Sequence, residues 1–167
     1  MKTAIRFALL VAAVLLGLWL WSVFFPAPEK LVFRKMSRLA ASAAFKADDS
    51  NLTRVGKANA LVSLFAPEAQ IIIAVSGSGQ SGRTFSGRDE IREAALAGFT
   101  SLPALNVEFL DVSVRLGADR QTADVSCTAK VNAGDRKDYG VQEMHFQWKK
   151  VDGDWLIVRA ETVKTLS

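Results

Sequence analysis

The 167-residue chain has a single cysteine, Cys127, and a single histidine, His145. One cysteine excludes an internal disulfide and any zinc site built on thiolates. With one imidazole beside it, the chain has too few donors for a typical transition-metal site, so neither metal nor cofactor is expected. A strong excess of one charge is also missing. The formal net charge is +4; Lys2 and Arg6 precede an uncharged run, and 19 basic face 17 acidic residues after it. That balance is too mild for nucleic acid, and the basic residues do not interleave with aromatics as a base-stacking platform would require. No internal repeat is visible, and the length allows one domain and little more.

What is present first is the stretch RFALLVAAVLLGLWLWSVFFPAPEK. From Phe7 to Phe25 it holds no charge, and its only polar side chain is Ser22. At ~1.5 Å per residue this run spans roughly the hydrocarbon thickness of a bilayer. Trp19, Trp21, Phe24 and Phe25 gather at the far end, where aromatic side chains favour the interface, and Pro26 and Pro28 stop the helix. A cleaved signal peptide is the alternative, but no small-x-small cleavage site follows the run. The reading is therefore a transmembrane anchor over 1–26 and a folded domain over 27–167. Lys2 and Arg6 favour a cytoplasmic N-terminus, while Lys30, Arg34, Lys35 and Arg38 pull the other way. The span resembles bacterial signal anchors, which places the domain on the extracytoplasmic side of a single-pass membrane protein. The four basic residues after the span either touch anionic headgroups or form a solvated helix face.

After the anchor, Glu29 to Phe45 reads as a helix with Leu31, Met36, Leu39 and Ala43 among its apolar positions. Asp48-Asp49-Ser50 offers N-caps for a second helix, whose stripe is Leu52, Val55, Asn59, Val62 and Phe65 and which Pro67 closes. QIIIAV (70–75) is a strand, followed by the loop SGSGQSG and an extended piece at Thr84-Phe85. That loop has no Lys-Ser/Thr at phosphate-loop spacing, so it reads as a hairpin tip overhanging a cavity mouth. GRDEIREAALAGF (87–99) is a third helix with acids in its first turn. From Leu105 the period becomes two, through LNVEFLDVSVRL, QTADVSCTAKV, YGVQEMHFQWKKV and DWLIVRAETV. This order is α+β, with helices on one face of a sheet.

Three stretches, ANALVSLFAPEAQIII, SGRDEIREA and the closing WKKVDGDWLIVRAE, resemble the nuclear transport factor 2-like superfamily in its SnoaL-like branch. The resemblance covers roughly 29–165. It implies a cone-shaped fold with three N-terminal helices over a curved, mostly antiparallel sheet, here preceded by one transmembrane helix. It also implies a homodimer. The superfamily includes isomerases, dehydratases, epoxide hydrolases and polyketide cyclases as well as non-catalytic binding and assembly modules, so the fold leaves activity open.

Its enzymes place acid-base residues inside the cone, and strand alternation shows which side chains point there. A turn of Val151-Asp152-Gly153 pairing Lys150 with Asp154 gives one clean apolar face, with Met144, Phe146, Trp148, Leu156, Val158 and Ala160. The opposite face then holds His145, Arg159, Glu161, Trp155 and Ile157. A two-residue Asp-Gly turn would shift the register by one. The preceding hairpin puts Leu110, Val112, Val114 and Leu116 inward beside Ala123, Val125, Cys127 and Ala129. Val112, Val125, Cys127, Phe146, Trp148 and Val158 are the candidate lining for an apolar ligand.

The inner face carries almost no titratable group, which argues against proton-transfer chemistry. Three residues remain as catalytic candidates. Glu108 falls on the inner row with Asn106, either as a rim carboxylate of raised pKa or in water at a frayed strand start. Tyr139 is a hydrogen-bond donor to a ligand or a sheet-edge aromatic. His145 lies outside, opposite Arg159 and flanked by Glu143 and Glu161, as an acid-base cluster, a pH switch or an ion-pair network. Trp155 and Ile157 beside His145, Arg159 and Glu161 suit a dimer interface. The expectation is a membrane-anchored, non-catalytic domain that binds an apolar small molecule or a partner protein. The alternatives are an isomerase- or dehydratase-type enzyme and a structural subunit of an envelope assembly.

Overall fold

A computed structural model of the chain describes residues 11–12, 14–17, 27–73, 82–134 and 139–163. Most of the expected anchor, and the SGSGQSG loop except its last glycine, lie outside the described residues. Residues 11–12 and 14–17 are helical, and Val14, Leu15 and Leu16 are exposed. Among the described residues no helix is long and apolar enough to cross a membrane.

The domain begins with helix α1 (Pro28–Ala43), and Pro28 sits in its first turn, where a missing N–H costs nothing. Val32, Met36 and Leu39 recur at helical spacing and are buried against the sheet. Helix α2 (Asn51–Val62) starts where the cap residues predicted, with the Ser50 hydroxyl accepting from the Thr53 N–H at 3.2 Å. Its buried face differs from the expected stripe. Ala58 and Val62 are buried, whereas Leu52 is 82% and Val55 42% exposed. The helix is rotated so that Arg54 points at the end of the third helix.

Strand β1 (Phe65–Ile73) begins earlier than expected, because Leu64, Phe65 and Ala66 form an apolar run that must be buried. Pro67 lies inside it, where pairing with the last strand slips between Phe65 and Gln70. An irregular stretch of this kind is where a sheet tolerates a residue with no N–H. Strand β2 (Arg83–Ser86) leads straight into helix α3 (Gly87–Ser101), which buries Ile91 and Phe99. Arg54 caps the far end of α3. Its guanidinium donates to the carbonyls of Phe99, of Leu102 at 3.2 Å and of Pro103 at 3.1 Å, and lies 4.7 Å over the Phe45 ring. Helix C-termini leave such carbonyls without intrahelical donors.

Strands β3 (Leu105–Leu116), β4 (Thr122–Ala133), β5 (Gly140–Val151) and β6 (Asp154–Thr162) complete a sheet of order β2-β1-β6-β5-β4-β3. The β1–β6 pair is parallel and the others antiparallel.

Two irregularities overturn the expected faces. The last hairpin uses the two-residue turn: Val151 pairs with Asp154 and Lys150 with Trp155. Asp152 and Gly153 both have positive φ, at 50° and 87°, which is the twist a two-residue hairpin needs. Trp155 and Ile157 therefore turn inward and are 2% and 0% exposed, so neither is a residue of an outer interface. One extra residue at Val158 then restores the expected parity. Gln147 pairs with Arg159, Phe146 with Ala160 and His145 with Glu161.

The second irregularity is in β3. Leu110 pairs with Thr128 and Ser113 with Ser126, leaving two residues of β3 against one of β4. Asp111 takes φ 53° there, a conformation aspartate tolerates better than most residues. N-terminal to this bulge the parity flips. Phe109, Val107 and Leu105 face the helices, while Leu110, Glu108 and Asn106 are exposed. Glu108 is thus not on the inner row.

Candidate functional site

The helix-covered side of the sheet is a packed core. Trp148 is 1% exposed, Val125 0%, Phe146 2% and Cys127 6%, in one apolar cluster with Trp155 and Ile157. The Phe109 and Phe146 rings meet edge-on at 5.7 Å. Val112 and Val158, the other two candidate lining residues, are half-buried against the same cluster. Among the described residues no buried polar or charged side chain accompanies them. Burial pushes the Cys127 thiol up to about 11, so at neutral pH it is a protonated core group rather than a nucleophile. One polar atom stands out: the Trp148 Nε1–H is buried without a hydrogen-bond partner among the described residues.

Polar chemistry gathers on the opposite face. Asp124, Ser126 and Thr128 of β4 alternate outward, Glu143 and His145 come from β5, and Arg159 and Glu161 from β6. Asp111, thrown outward by its bulge, lines a groove of about 440 Å³ together with His145, Glu143 and Glu161. A second groove of about 280 Å³ runs along Ser113, Arg115 and Asp124 and meets the first at Ser126 and His145.

His145 is the junction, held between two carboxylates. Its Nε2 lies 3.5 Å from Asp124 Oδ1 and its Nδ1 3.5 Å from Glu161 Oε1. Glu161 Oε2 in turn accepts from Arg159 Nε at 2.9 Å and Nη2 at 2.8 Å. The partner directly across from His145 is Glu161, not Arg159. Ser126 stands beside His145 in register, but both imidazole nitrogens face carboxylates, so the ring is not directed at that hydroxyl as a base would be. The arrangement is a charged row across three strands. Among the described residues no group of three histidine, cysteine or carboxylate side chains is placed to hold a metal ion.

The three catalytic candidates do not converge. Glu108 pairs with Lys130, and Lys130 Nζ lies 4.5 Å over the ring of Tyr139, which is 56% exposed. His145 pairs with Ser126, four residues further along β4. At a strand rise of ~3.3 Å that is an offset of roughly 13 Å along the strands between His145 and Glu108, to which two strand spacings add. Tyr139 lies six residues from His145, roughly 20 Å at the same rise.

Residues that sequence reasoning missed are Asp111, Arg54 and Asp154, whose carboxylate holds Lys35 of α1 at 2.7 Å. For Asp111 a signal existed: two adjacent apolar residues, Phe109-Leu110, interrupt the alternation.

A six-stranded, mostly antiparallel sheet closed on one side by three helices is the cystatin-like fold of nuclear transport factor 2-like proteins. A family model described as a SnoaL-like domain matches residues 39–161, and the chain belongs to that family. A search of curated proteins finds no match.

Solved structures share the fold at low identity. A nuclear transport factor 2-like protein of unknown function from Pseudomonas putida KT2440 is 11% identical, with a TM-score of 0.64 over 83% of this chain and 87% of that one. A nuclear transport factor 2-like protein with a cystatin-like fold from Novosphingobium aromaticivorans is 18% identical, with a TM-score of 0.61 over 91% and 86%. A proposed scytalone dehydratase from the same organism is 16% identical, with a TM-score of 0.57 over 82% and 83%. At these identities the likeness shows the fold alone.

Proposed function

We propose that the chain is a membrane-tethered, non-catalytic SnoaL-like module that works by presenting the outer face of its sheet to a protein partner, in the first place a second copy of itself. The observation that carries this reading is the apolar interior around Trp148 and Trp155, where no acid or base for proton transfer is buried among the described residues. The uncharged run from Phe7 to Phe25 supports the tether, as does the exposure of Val14, Leu15 and Leu16, which the domain does not cover. The row of Asp124, His145, Glu161 and Arg159 gives the outer face charges of both signs, so two copies related by a two-fold axis can match cation to anion.

Sedimentation of the full chain in density-matched detergent tests the reading. A dimer that Arg159→Glu converts to monomer supports it. A monomeric wild type, or a dimer indifferent to Arg159→Glu, overturns it.

A second reading, an apolar small molecule in the cone, is favoured by one observation. The partnerless Trp148 Nε1–H is a donor that a ligand carrying a single acceptor would satisfy. An enzyme with His145 as base and Tyr139 as donor would need both at one substrate atom, and they lie too far apart for that; Glu108, the other candidate base, is exposed beside Lys130 rather than inside the cone.

A further inference from the structure

Helix α1 has two unlike sides. Val32, Met36 and Leu39 are buried under it, and Lys30, Phe33, Arg34, Ser37 and Arg38 are exposed along the other side. Their spacing, three or four residues at a time, puts them in one stripe. Phe33 is 51% exposed, a large apolar side chain set among cations. Lys35 is taken up by Asp154, but Lys30, Arg34 and Arg38 make no ion pair with the described residues. The carboxylates near the stripe are Glu29 in the first turn and Glu108, which borders a groove of about 230 Å³ between α1 and β3. Phe33 forms part of that groove with Met36, Phe109 and Val112, so apolar surface continues inward from the stripe.

Chain connectivity fixes where this stripe can be. Phe25, the last residue of the uncharged run, precedes Pro28 by three residues, which is at most about 11 Å of extended chain. If the run is in a bilayer, the first turn of α1 stands at the headgroups.

We propose that this face of α1 lies against an anionic lipid surface, with Lys30, Arg34 and Arg38 on the headgroups and Phe33 inserted at the interface. The inference rests on the tether put forward above and deepens it. The tether alone leaves the domain free to swing, whereas the docked helix fixes its orientation and turns the outer sheet face away from the lipid.

The test uses the full chain carrying Ser37→Cys with a nitroxide label. Cys127 is buried and stays in place, because native labelling reaches only the introduced thiol. The protein is placed in nanodiscs of phosphatidylcholine alone, or of phosphatidylcholine with phosphatidylserine. On the anionic discs, collisions of the label with a water-soluble nickel reagent should fall and collisions with dioxygen rise. Raising the salt from 0.1 to 1 M, which shortens the screening length from about 10 to 3 Å, should reverse both. Arg34→Glu/Arg38→Glu should abolish the effect while leaving the denaturation midpoint unchanged, since both side chains are exposed.

A label equally open to nickel on both discs overturns lipid docking while the tether stands, as does a change insensitive to salt and to charge reversal. A chain that migrates with neither disc overturns the tether and the docking together.

Discussion

Gln147 and Trp148 are neighbours on β5, yet Gln147 is exposed and Trp148 is 1% exposed. The same division runs across the sheet. The helix-covered side holds aromatic and aliphatic side chains in one packed cluster, whereas the outer side holds Asp124, His145, Arg159 and Glu161 in a chain of polar contacts. Among the described residues the polar side chains lie on the outer face and the interior is apolar.

The contrast should appear first as stability. Trp155→Ala empties a fully enclosed site and should cost about 3–5 kcal/mol in chemical denaturation. Gln147→Ala on the outer face of a neighbouring strand should change stability by less than about 0.5 kcal/mol. Similar values for the two would break the distinction between the faces.

The next effect is on the helix layer that closes the interior. Arg54→Ala leaves the carbonyls of Phe99, Leu102 and Pro103 without their shared charged donor, which should cost about 2–3 kcal/mol. Arg54→Lys should recover only part of it, because an ammonium cannot fork across three carbonyls. Full rescue by lysine would show that charge alone matters there.

The bulge that turns Glu108 outward gives a smaller effect. Asp111→Val forces a β-branched residue to φ 53° and should cost about 1–2 kcal/mol. Asp111→Gly should be neutral within about 0.5 kcal/mol, since glycine loses the strain but gains freedom when unfolded. Equal losses for the two would move the importance of Asp111 from its backbone to its carboxylate.

The smallest effect is on acid stability. Asp49 is held below its ordinary value of 3.8 by the Lys57 ammonium and then by the Lys46 N–H, and Asp119 by the Gln121 N–H and then by Thr122. Both are depressed carboxylates. Their contribution is complete above pH 3.8 and is lost as pH falls through the lower folded values. Asp49→Asn with Asp119→Asn should flatten the acid limb of an unfolding titration, and an unchanged limb would contradict the assignment.

Much of this architecture could be read from the chain. The Ser50 cap, the acid-rich first turn of α3 and the four period-two strands all appear where local chemistry predicts them. What alternation could not show is parity. A period-two pattern marks a strand, but a single extra residue exchanges its faces without altering the pattern on either side.

That happened at Asp111, where Glu108 left the inner row, while the two-residue turn at Asp152-Gly153 brought Trp155 and Ile157 into it and the extra residue at Val158 reversed the shift. The Asp152-Gly153 dipeptide carried a signal for the shorter turn, and preferring a uniformly apolar face overrode it. The outer cluster was largely legible, because the bulge at Val158 cancels the turn's shift before Arg159 and Glu161. The Arg54 cap was not legible, since nothing local ties a helix residue to carbonyls some fifty positions away.

If Trp148, Trp155, Ile157 and Phe146 fill the cone, native mass spectrometry of the full chain released from detergent micelles should give masses of the polypeptide and its dimer with no bound molecule. A stoichiometric apolar adduct would contradict that filling and would place that molecule's acceptor at the Trp148 Nε1–H.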